Sequence, residues 1–373
     1  MPDEAHAETE ELLAEIEAEV QREYRRAARE MQEKLIDYQR RFAVKNKIKL
    51  KELREDKITP KEYSDWYKGQ VLIGQRWIDM RDQLATDMTH SNEIAMSIIS
   101  DFLPEVYAIN HNYATFDIER QSRINTSYAL YNRYTVERLI KDKPNLLPRP
   151  GVRVTKDMLY NKQVLTSSVL QTVLQGEDIY KLAKRLRPEV AEKATAEYFG
   201  VHTAEALEHK LDVAAMRTAR TMITSAQNGG RFQAYKRAEK MGIEFESKTW
   251  VATLDGRTRD SHARLHGEEV PIDKEFSNGL MYPGDESGDP SEVWNCRCTM
   301  NQHVKKTQRI DLLSDFTGKY AGLSRDYIGG EDMTYQDWLD LHSEDKEIKK
   351  AAREKWKVSD IGNERKKRYY PKY

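Results

Sequence analysis

Apolar side chains recur every three or four residues along the amino-terminal part of the chain, and this regularity constrains the fold more than any other feature. No Gly or Pro interrupts the pattern, so it predicts one long amphipathic helix. A helix of this length cannot bury its apolar stripe alone. We interpret residues 1–58 as a helical arm whose partner lies either in another molecule or in the same chain, if the arm folds back. The stripe consists of Leu12, Ile16, Val20, Tyr24, Ala27, Met31, Leu35, Tyr38 and Phe42.

The region after the arm, residues 59–150, is also predicted to be helical. Thr59 and Glu62 around Pro60 form a capping-box signature, and the helix that they start is expected to run to about His90. A further helix is expected to start at Ser91 and to be kinked or interrupted at Pro104 because proline lacks the backbone donor.

A cluster of prolines between Lys143 and Pro150 marks the best domain boundary, because prolines end helices. It follows a helix predicted over residues 128–140. Beyond the boundary, the pattern predicts helices over residues 155–175, 177–186 and 203–241, the last broken at Gly229-Gly230.

The periodicity changes at Gly242. Strands are predicted around Ile243, Phe245 and residues 250–252, with a short second strand over residues 297–301. The expected fold class is α+β: mostly helical, with a long amino-terminal helical region and a small mixed domain with few short strands. The predicted domains are the arm over 1–58, a helical region over 59–150, the mixed domain over 151–305 and an extension with a basic tail over 306–373.

The charge balance, the hydropathy and the cysteine content exclude several classes of protein. The chain has 61 Lys and Arg against 62 Asp and Glu, so only local surfaces can be basic. Its apolar runs fall far short of the roughly 18 residues that span a bilayer, and its acidic start is unlike a signal peptide. Two cysteines cannot build a disulfide scaffold. The sequence therefore predicts neither a membrane nor a secreted protein, and we expect synthesis in the cytosol.

The two cysteines and two histidines of the mixed domain can form a metal site. His262 and His266 are four residues apart and share a face if they lie on a helix, whereas Cys296 and Cys298 share a face of a strand. Together they can complete a tetrahedral structural Zn²⁺ site, the one cofactor that the sequence suggests. The alternative is that the histidines are hydrogen-bonded and the cysteines are small buried apolar residues.

An alternative interpretation is that the same cluster is the active site of a metal-dependent nuclease or other hydrolase. It would need a carboxylate base, and Asp255, Asp260 or Glu268 can serve. The chain has no H-E-x-x-H, Walker or G-x-S-x-G motif, and we therefore predict no enzymatic activity.

Two simpler interpretations apply to the surrounding residues. Arg257 is expected to fork onto Asp255 or Asp285 and fix the turn, because arginine favours that geometry. Trp250 and Trp294 are expected to be core aromatic residues of the domain.

The carboxy-terminal tail interleaves cations with rings. This composition suits contact with a nucleic-acid backbone, and a non-specific DNA-binding protein is a further hypothesis. The cationic residues are Arg365, Lys366, Lys367 and Arg368, beside Tyr369, Tyr370 and Tyr373.

The order of several motifs resembles the phage Mu F-like head morphogenesis domain of tailed phages. The resemblance covers about residues 165–302 and includes the preceding helix, with Ala219-Arg220-Thr221 and Asn228. One departure is that Arg259 and His262 stand where many relatives carry cysteines. The residues that carry the resemblance are Lys248, Trp250, Asp255, Arg257, Thr258, His262, Leu265, Gly267, Pro283, Gly284, Asp285, Asn295, Cys296, Arg297 and Cys298.

The resemblance implies a minor head protein that is assembled in the host cytoplasm. It would reside in the virion, in the head interior or at the portal vertex, in few copies. The implied partners are the portal protein, the scaffold and major capsid proteins, DNA and a second copy of the chain. The implied role is in head assembly, DNA packaging or DNA ejection, without catalysis.

Overall fold

A computed structural model describes most of the amino-terminal two fifths of the chain and the predicted sheet region. The described residues are 3–40, 43–72, 75–126, 130–148, 188–305 and 333–342. The helices predicted over 155–175 and 177–186, and the basic tail with Arg365, Lys366, Lys367 and Arg368, lie outside them.

The described residues form a mostly helical α+β protein, as predicted. The helices before the proline cluster are α1 (Glu4–Arg40), α2 (Ala43–Arg54), α3 (Pro60–Leu72), α4 (Gln75–Ser122) and α5 (Arg133–Asp142). The elements after it are α6 (Pro188–Lys240), β1 (Phe245–Val251), α7 (Asp260–Leu265), β2 (Glu269–Val270), α8 (Pro290–Val293), β3 (Thr299–Val304) and α9 (Tyr335–His342).

The long amino-terminal helix is confirmed as α1, and the described members of its apolar stripe from Ile16 to Leu35 are buried in a single copy of the chain. Ile16, Val20 and Leu35 are fully buried. Tyr24 is also buried, and its Oη donates to Oδ1 of Asn92 in α4 at 3.1 Å. The described part of the stripe therefore packs within the chain, which is the folded-back alternative.

The helix start at Thr59 is confirmed, but the predicted start of a separate helix at Ser91 was wrong. Glu62 accepts from Thr59 N at 2.7 Å, and Thr59 Oγ1 accepts from Glu62 N at 3.1 Å. Helix α3 covers Pro60–Leu72 and α4 covers Gln75–Ser122, with residues 73–74 outside the described part of the chain, and α4 runs without interruption through the predicted start at Ser91 and through Pro104. Pro104 costs one hydrogen bond, and the buried neighbours along this part of α4 offset that loss.

The glycine pair in α6 is not a helix break. Helix α6 continues through both glycines to Lys240. A Cβ at Gly230 would lie 2.6 Å from the backbone oxygen of Tyr107 in α4, whereas a Cβ at Gly229 would meet only Tyr282 Oη, at 3.9 Å. Gly230 therefore permits close approach of two helices, a tertiary reason that periodicity does not reveal.

The chain divides into two compact units, each assembled from separated segments. One contains residues Met1–Glu17, Ile98–Pro150 and Arg217–Tyr373, as far as they are described, and the other contains Ala18–Ser97 and Gly151–Met216. The domain boundaries predicted from sequence stay predictions.

The first unit holds an antiparallel sheet in the order β2-β1-β3. Trp250 pairs with Met300, and Thr249 pairs with both Glu269 and Asn301. Trp250 belongs to a core cluster with Phe276 and both cysteines. The strand predicted at 250–252 is confirmed within β1, and the second predicted strand starts later, at Thr299. No described helix is long and apolar enough to cross a membrane.

Candidate functional site

Three of the four predicted metal ligands come together in the first unit. His262, Cys296 and Cys298 are all buried, and their donor atoms lie within 4.8 Å of one another. His262 Nδ1 is 3.6 Å from Cys296 Sγ and 3.4 Å from Cys298 Sγ. The arrangement therefore places two soft sulfur donors and one imidazole nitrogen around a common point.

We call His262, Cys296 and Cys298 the trio. His266, the fourth predicted ligand, is not part of it. Helix α7 ends at Leu265, so His266 lies beyond its last turn and does not share the face of His262. Its Nδ1 accepts a hydrogen bond from Ala252 N at 3.2 Å. The four-residue spacing predicted a shared helix face wrongly because α7 is too short to include His266. His266 instead links the end of α7 to Ala252, the residue that follows β1.

The trio is completed on its other side by Glu292 in α8. His262 Nε2 lies 3.1 Å from Glu292 Oε2, although the geometry is not that of a regular hydrogen bond and Nε2 has no other described partner. The ring of His262 also makes an edge contact with Trp250, with 5.2 Å between centroids. Glu292 was not identified from the sequence, because nothing in its surroundings distinguishes it from a surface acid.

Helix α6 positions the segment that carries the cysteines. Thr224 Oγ1 donates to Cys296 O at 2.5 Å, and Asn228 Nδ2 donates to Cys298 O at 3.0 Å. Thr221 Oγ1 accepts from Asn295 N at 2.8 Å, and Arg231 Nη1 donates to Met300 O at 3.3 Å. These four side chains are three or four residues apart, so they share one face of α6. Three of them donate to alternate carbonyl oxygens of the extended segment, at positions 296, 298 and 300.

An ion pair fixes the turn beside the trio, but its arginine is not the one predicted. Arg297 forks onto Asp255, with Nη1 to Oδ2 at 2.7 Å and Nη2 to Oδ1 at 2.6 Å. The guanidinium of Arg257 is farther from the same carboxylate, with 3.8 Å between Nη2 and Oδ2. Arg257 contacts Asp255 instead through its backbone N, which donates to Oδ1 at 2.9 Å. The hydrogen bonds from Arg297 hold the pKa of Asp255 well below its usual value.

The remaining motif residues have structural partners. Thr258 Oγ1 donates to Thr253 O, and Asp285 accepts from Ser287 Oγ at 2.7 Å and from Met281 N at 3.2 Å. Gly267 follows His266 with φ of 82°, in the left-handed region that glycine favours.

The two predicted core tryptophans differ in their environment. Trp250 is fully buried, as predicted, whereas Trp294 is 53% exposed, so its assignment to the core was wrong. Helix α8 ends at Val293, and Val293 is the residue that enters the core cluster. Trp294 contributes its carbonyl oxygen, which accepts from Arg259 Nη2.

The electrostatics distinguish the two thiols. A hydrogen bond from the Cys296 thiol, reinforced by the His262 imidazole, lowers the pKa of Cys298 to about 5, although burial acts in the opposite direction. The same shared proton, together with burial, raises the pKa of Cys296 well above its usual value. Of the two thiols, Cys298 therefore releases its proton more readily, and the thiolate is the form of cysteine that binds metals.

A cavity of about 90 Å³ opens onto the trio. Its charged lining residues other than His262 and the cysteines are arginines, and no carboxylate is among the described residues that line it. Asp255 is paired with Arg297, and Glu268 accepts from Ser277 N at 2.8 Å. The cavity is lined by Thr253, Arg257, Thr258, Arg259, His262, Asn295, Cys296, Arg297 and Cys298.

A buried ion pair at the carboxy-terminal part of α6 was not predicted from the sequence. Arg231 is nearly fully buried and forks onto Asp3, with Nη1 to Oδ2 at 2.7 Å and Nη2 to Oδ1 at 2.6 Å. Its Nε donates to Asn110 Oδ1 at 3.0 Å. Asp3 stands among several acidic residues at the start of the chain, and nothing in the local sequence distinguishes it as a partner of Arg231.

The comparisons with known proteins locate a family match on this part of the chain. Residues 163–301 match the model of the family described as "Phage Mu protein F like protein". The resemblance predicted over about residues 165–302 is therefore confirmed. The matched range contains the trio, Glu292 and the described polar residues of α6 that hold the cysteine segment up to Met300.

Two curated relatives match the chain over part of its length. The protein named NAD(+)--arginine ADP-ribosyltransferase EFV, from Enterococcus faecalis (strain ATCC 700802 / V583), is 28% identical over 54% of this chain and 39% of its own length. Minor head protein GP7 of Bacillus phage SPP1 is 23% identical over 59% of this chain and 65% of its own length. The chain thus spans less than two thirds of either relative. No solved structure matches the chain at the same level.

Proposed function

We propose that this chain is a minor head protein of a tailed phage, which docks to the portal and assists head assembly, DNA packaging or DNA ejection. The observation that carries the proposal is the family match over residues 163–301, supported by the similarity to a protein named minor head protein. Scaffold and major capsid proteins are the further partners, and the chain would reside in the virion after assembly in the host cytoplasm.

A structural role suits the way in which the site is built. Several motif residues secure a turn or a strand: Arg297 pairs with Asp255, and Asn228 holds Cys298. A metal-dependent hydrolase would need a carboxylate base on the cavity side of the trio. The described residues that line the cavity include arginines and no carboxylate, and Glu292 contacts the ring nitrogen of His262 that faces away from the cysteines. We therefore propose a non-enzymatic protein.

The experiment is deletion and complementation of the gene in the phage or prophage that encodes it. We expect deletion to lower the yield of DNA-filled, infectious particles, and the intact gene to restore it. Co-purification of the tagged chain with the portal protein tests docking separately. Unchanged particle yield without the gene, together with no portal association, would contradict the proposal.

The name of the Enterococcus relative identifies the enzymatic activity to test. The match covers 39% of that relative, so most of it lies outside the aligned segment. We expect no consumption of NAD⁺ and no transfer of labelled ADP-ribose to arginine-containing acceptors by the purified chain. Transfer that rises in proportion to protein concentration would overturn the non-enzymatic proposal.

A further inference from the structure

We infer that His262, Cys296 and Cys298 bind one Zn²⁺ through Nδ1 and the two Sγ atoms, with Glu292 orienting the imidazole from behind. The inference depends on the geometry of these four residues and not on the proposed role in the phage head. It assigns three protein ligands, excludes His266 from the predicted set, and leaves the fourth coordination position to water in the adjoining cavity.

The distances fit a tetrahedral zinc centre. With Zn–N of about 2.0–2.1 Å and Zn–S of about 2.3 Å, a tetrahedron separates nitrogen from sulfur by roughly 3.5 Å. The observed separations from His262 Nδ1 are 3.6 Å to Cys296 Sγ and 3.4 Å to Cys298 Sγ. A single Nδ1 lone pair can accept one thiol proton, so hydrogen bonding explains one of these approaches, whereas a shared metal explains both.

Glu292 supplies the partner that a zinc-bound imidazole usually has. Metal-ligating histidines direct their other ring nitrogen to a carboxylate, a carbonyl oxygen or water, which fixes the tautomer. Glu292 Oε2 is 3.1 Å from His262 Nε2, on the side of the ring away from the sulfur atoms. With Zn²⁺ bound, this carboxylate would favour the proton on Nε2, which leaves the Nδ1 lone pair for the metal.

The donor set selects the metal. Two thiolates and an imidazole favour zinc over the hard cations magnesium and calcium, which prefer oxygen ligands. Among the His, Cys, Asp and Glu side chains of the described residues, only these three form a group within coordinating reach. The trio also lines the cavity of about 90 Å³, which has room for a water molecule at the fourth position.

Zinc at this position would join α7 to the segment that precedes β3. His262 lies on α7, and the cysteines lie on a segment without regular secondary structure that α6 holds only through its backbone. A metal bond would therefore add a side-chain connection across a small lobe. Because zinc then binds the folded state, it should raise the unfolding temperature.

The test uses the purified full-length chain, stripped with chelator and titrated with Zn²⁺ or Co²⁺. We expect one metal ion per chain, a thiolate-to-Co²⁺ charge-transfer band, and a rise in the unfolding temperature with Zn²⁺ but not with Mg²⁺. Cys296→Ser, Cys298→Ser and His262→Ala should each abolish the band. Glu292→Gln should weaken Zn²⁺ binding about 10–100-fold, the usual effect of losing such a carboxylate.

His266→Ala is the matched control, because His266 lies at the end of the same helix but bonds to Ala252 N. It should keep one Zn²⁺ per chain. The inference is overturned if the wild-type chain binds no stoichiometric Zn²⁺ and gains no thermal stability from it. Because this measurement uses the wild-type chain, it is decisive even if a ligand variant fails to fold. Its outcome is independent of the particle-assembly experiments that test the proposed function.

Discussion

The side-chain amide of Asn228 in α6 donates to the backbone oxygen of Cys298 at 3.0 Å. Asn228 Oδ1 also accepts from Thr299 Oγ1 at 3.2 Å, and both residues are buried. One amide therefore satisfies two polar groups at the point where the cysteine segment becomes β3. This contact explains why an asparagine on the preceding helix is part of the motif.

Replacing Asn228 with Ala should destabilise the first unit. The change leaves Cys298 O and Thr299 Oγ1 without this partner in a buried position, at a cost of about 1–3 kcal/mol. Urea unfolding at fixed pH measures the effect. Arg217→Ala, an exposed position on the same helix, is the control and should change the free energy of unfolding by less than about 0.5 kcal/mol. Equal effects of the two variants would contradict the assignment.

The two glycines of α6 should respond in opposite directions to alanine. Gly230→Ala places a Cβ 2.6 Å from Tyr107 O, so the backbones of α4 and α6 must separate, at a cost of roughly 1–3 kcal/mol. Gly229→Ala has open space and should stabilise the protein by about 0.5–1 kcal/mol, because alanine is the better helix former. Thermal unfolding of both variants measures this, and equal shifts would show that the close helix contact is absent.

Stability should fall in mild acid because of His111 in α4. Burial lowers the pKa of His111 to about 3, from an ordinary 6.5, and its ring stacks on Tyr131 at 4.2 Å between centroids. Between these values the unfolded chain binds a proton that the folded chain does not. Stability is thus retained above pH 6.5 and declines toward pH 3, by up to roughly 1.4 kcal/mol per pH unit.

The contribution of His111 can be isolated with His111→Phe, which keeps an aromatic ring in the stack but cannot titrate. The dependence of the free energy of unfolding on pH, measured between pH 4 and 7, should be shallower in the variant. An unchanged slope would show that His111 is not the residue responsible.

The carboxy-terminal tail gives a prediction from sequence alone. If it contacts DNA, replacing the four cations with Gln should weaken DNA binding. The number of counterions released on binding, measured from the salt dependence of the affinity, should fall by up to about four. The four residues replaced are Arg365, Lys366, Lys367 and Arg368. A matched control replaces the equally charged Lys346, Lys349, Lys350 and Lys357. Equal loss in both variants, or no DNA binding at low salt, would contradict a specific role for the tail.

Much of the fold was predictable because its signals are local. The stripe from Ile16 to Leu35 has helical spacing, and Thr59 and Glu62 form a capping box, so both were recognised without tertiary information. The grouping of His262 with Cys296 and Cys298 followed from their residue types, because imidazole and thiolate groups bind zinc, and from the spacing that puts both cysteines on one face of an extended segment.

The failures came from contacts that are distant in sequence. Gly230 resembles a helix break until the backbone of α4 is placed beside it. Arg257 is closer to Asp255 in sequence than Arg297, yet the strand pairing brings Arg297 to the carboxylate. His266 has the correct spacing from His262, but α7 ends before reaching it. In each case, packing overrode the local signal.

The most direct test of the proposed function is the protein composition of purified, DNA-filled heads, measured by quantitative mass spectrometry against the major capsid and portal proteins. A minor head protein should be present reproducibly, at far fewer copies than the major capsid protein, and should disappear only when its own gene is deleted. Absence of the chain from heads that contain the portal protein and DNA would contradict the proposed role in the virion.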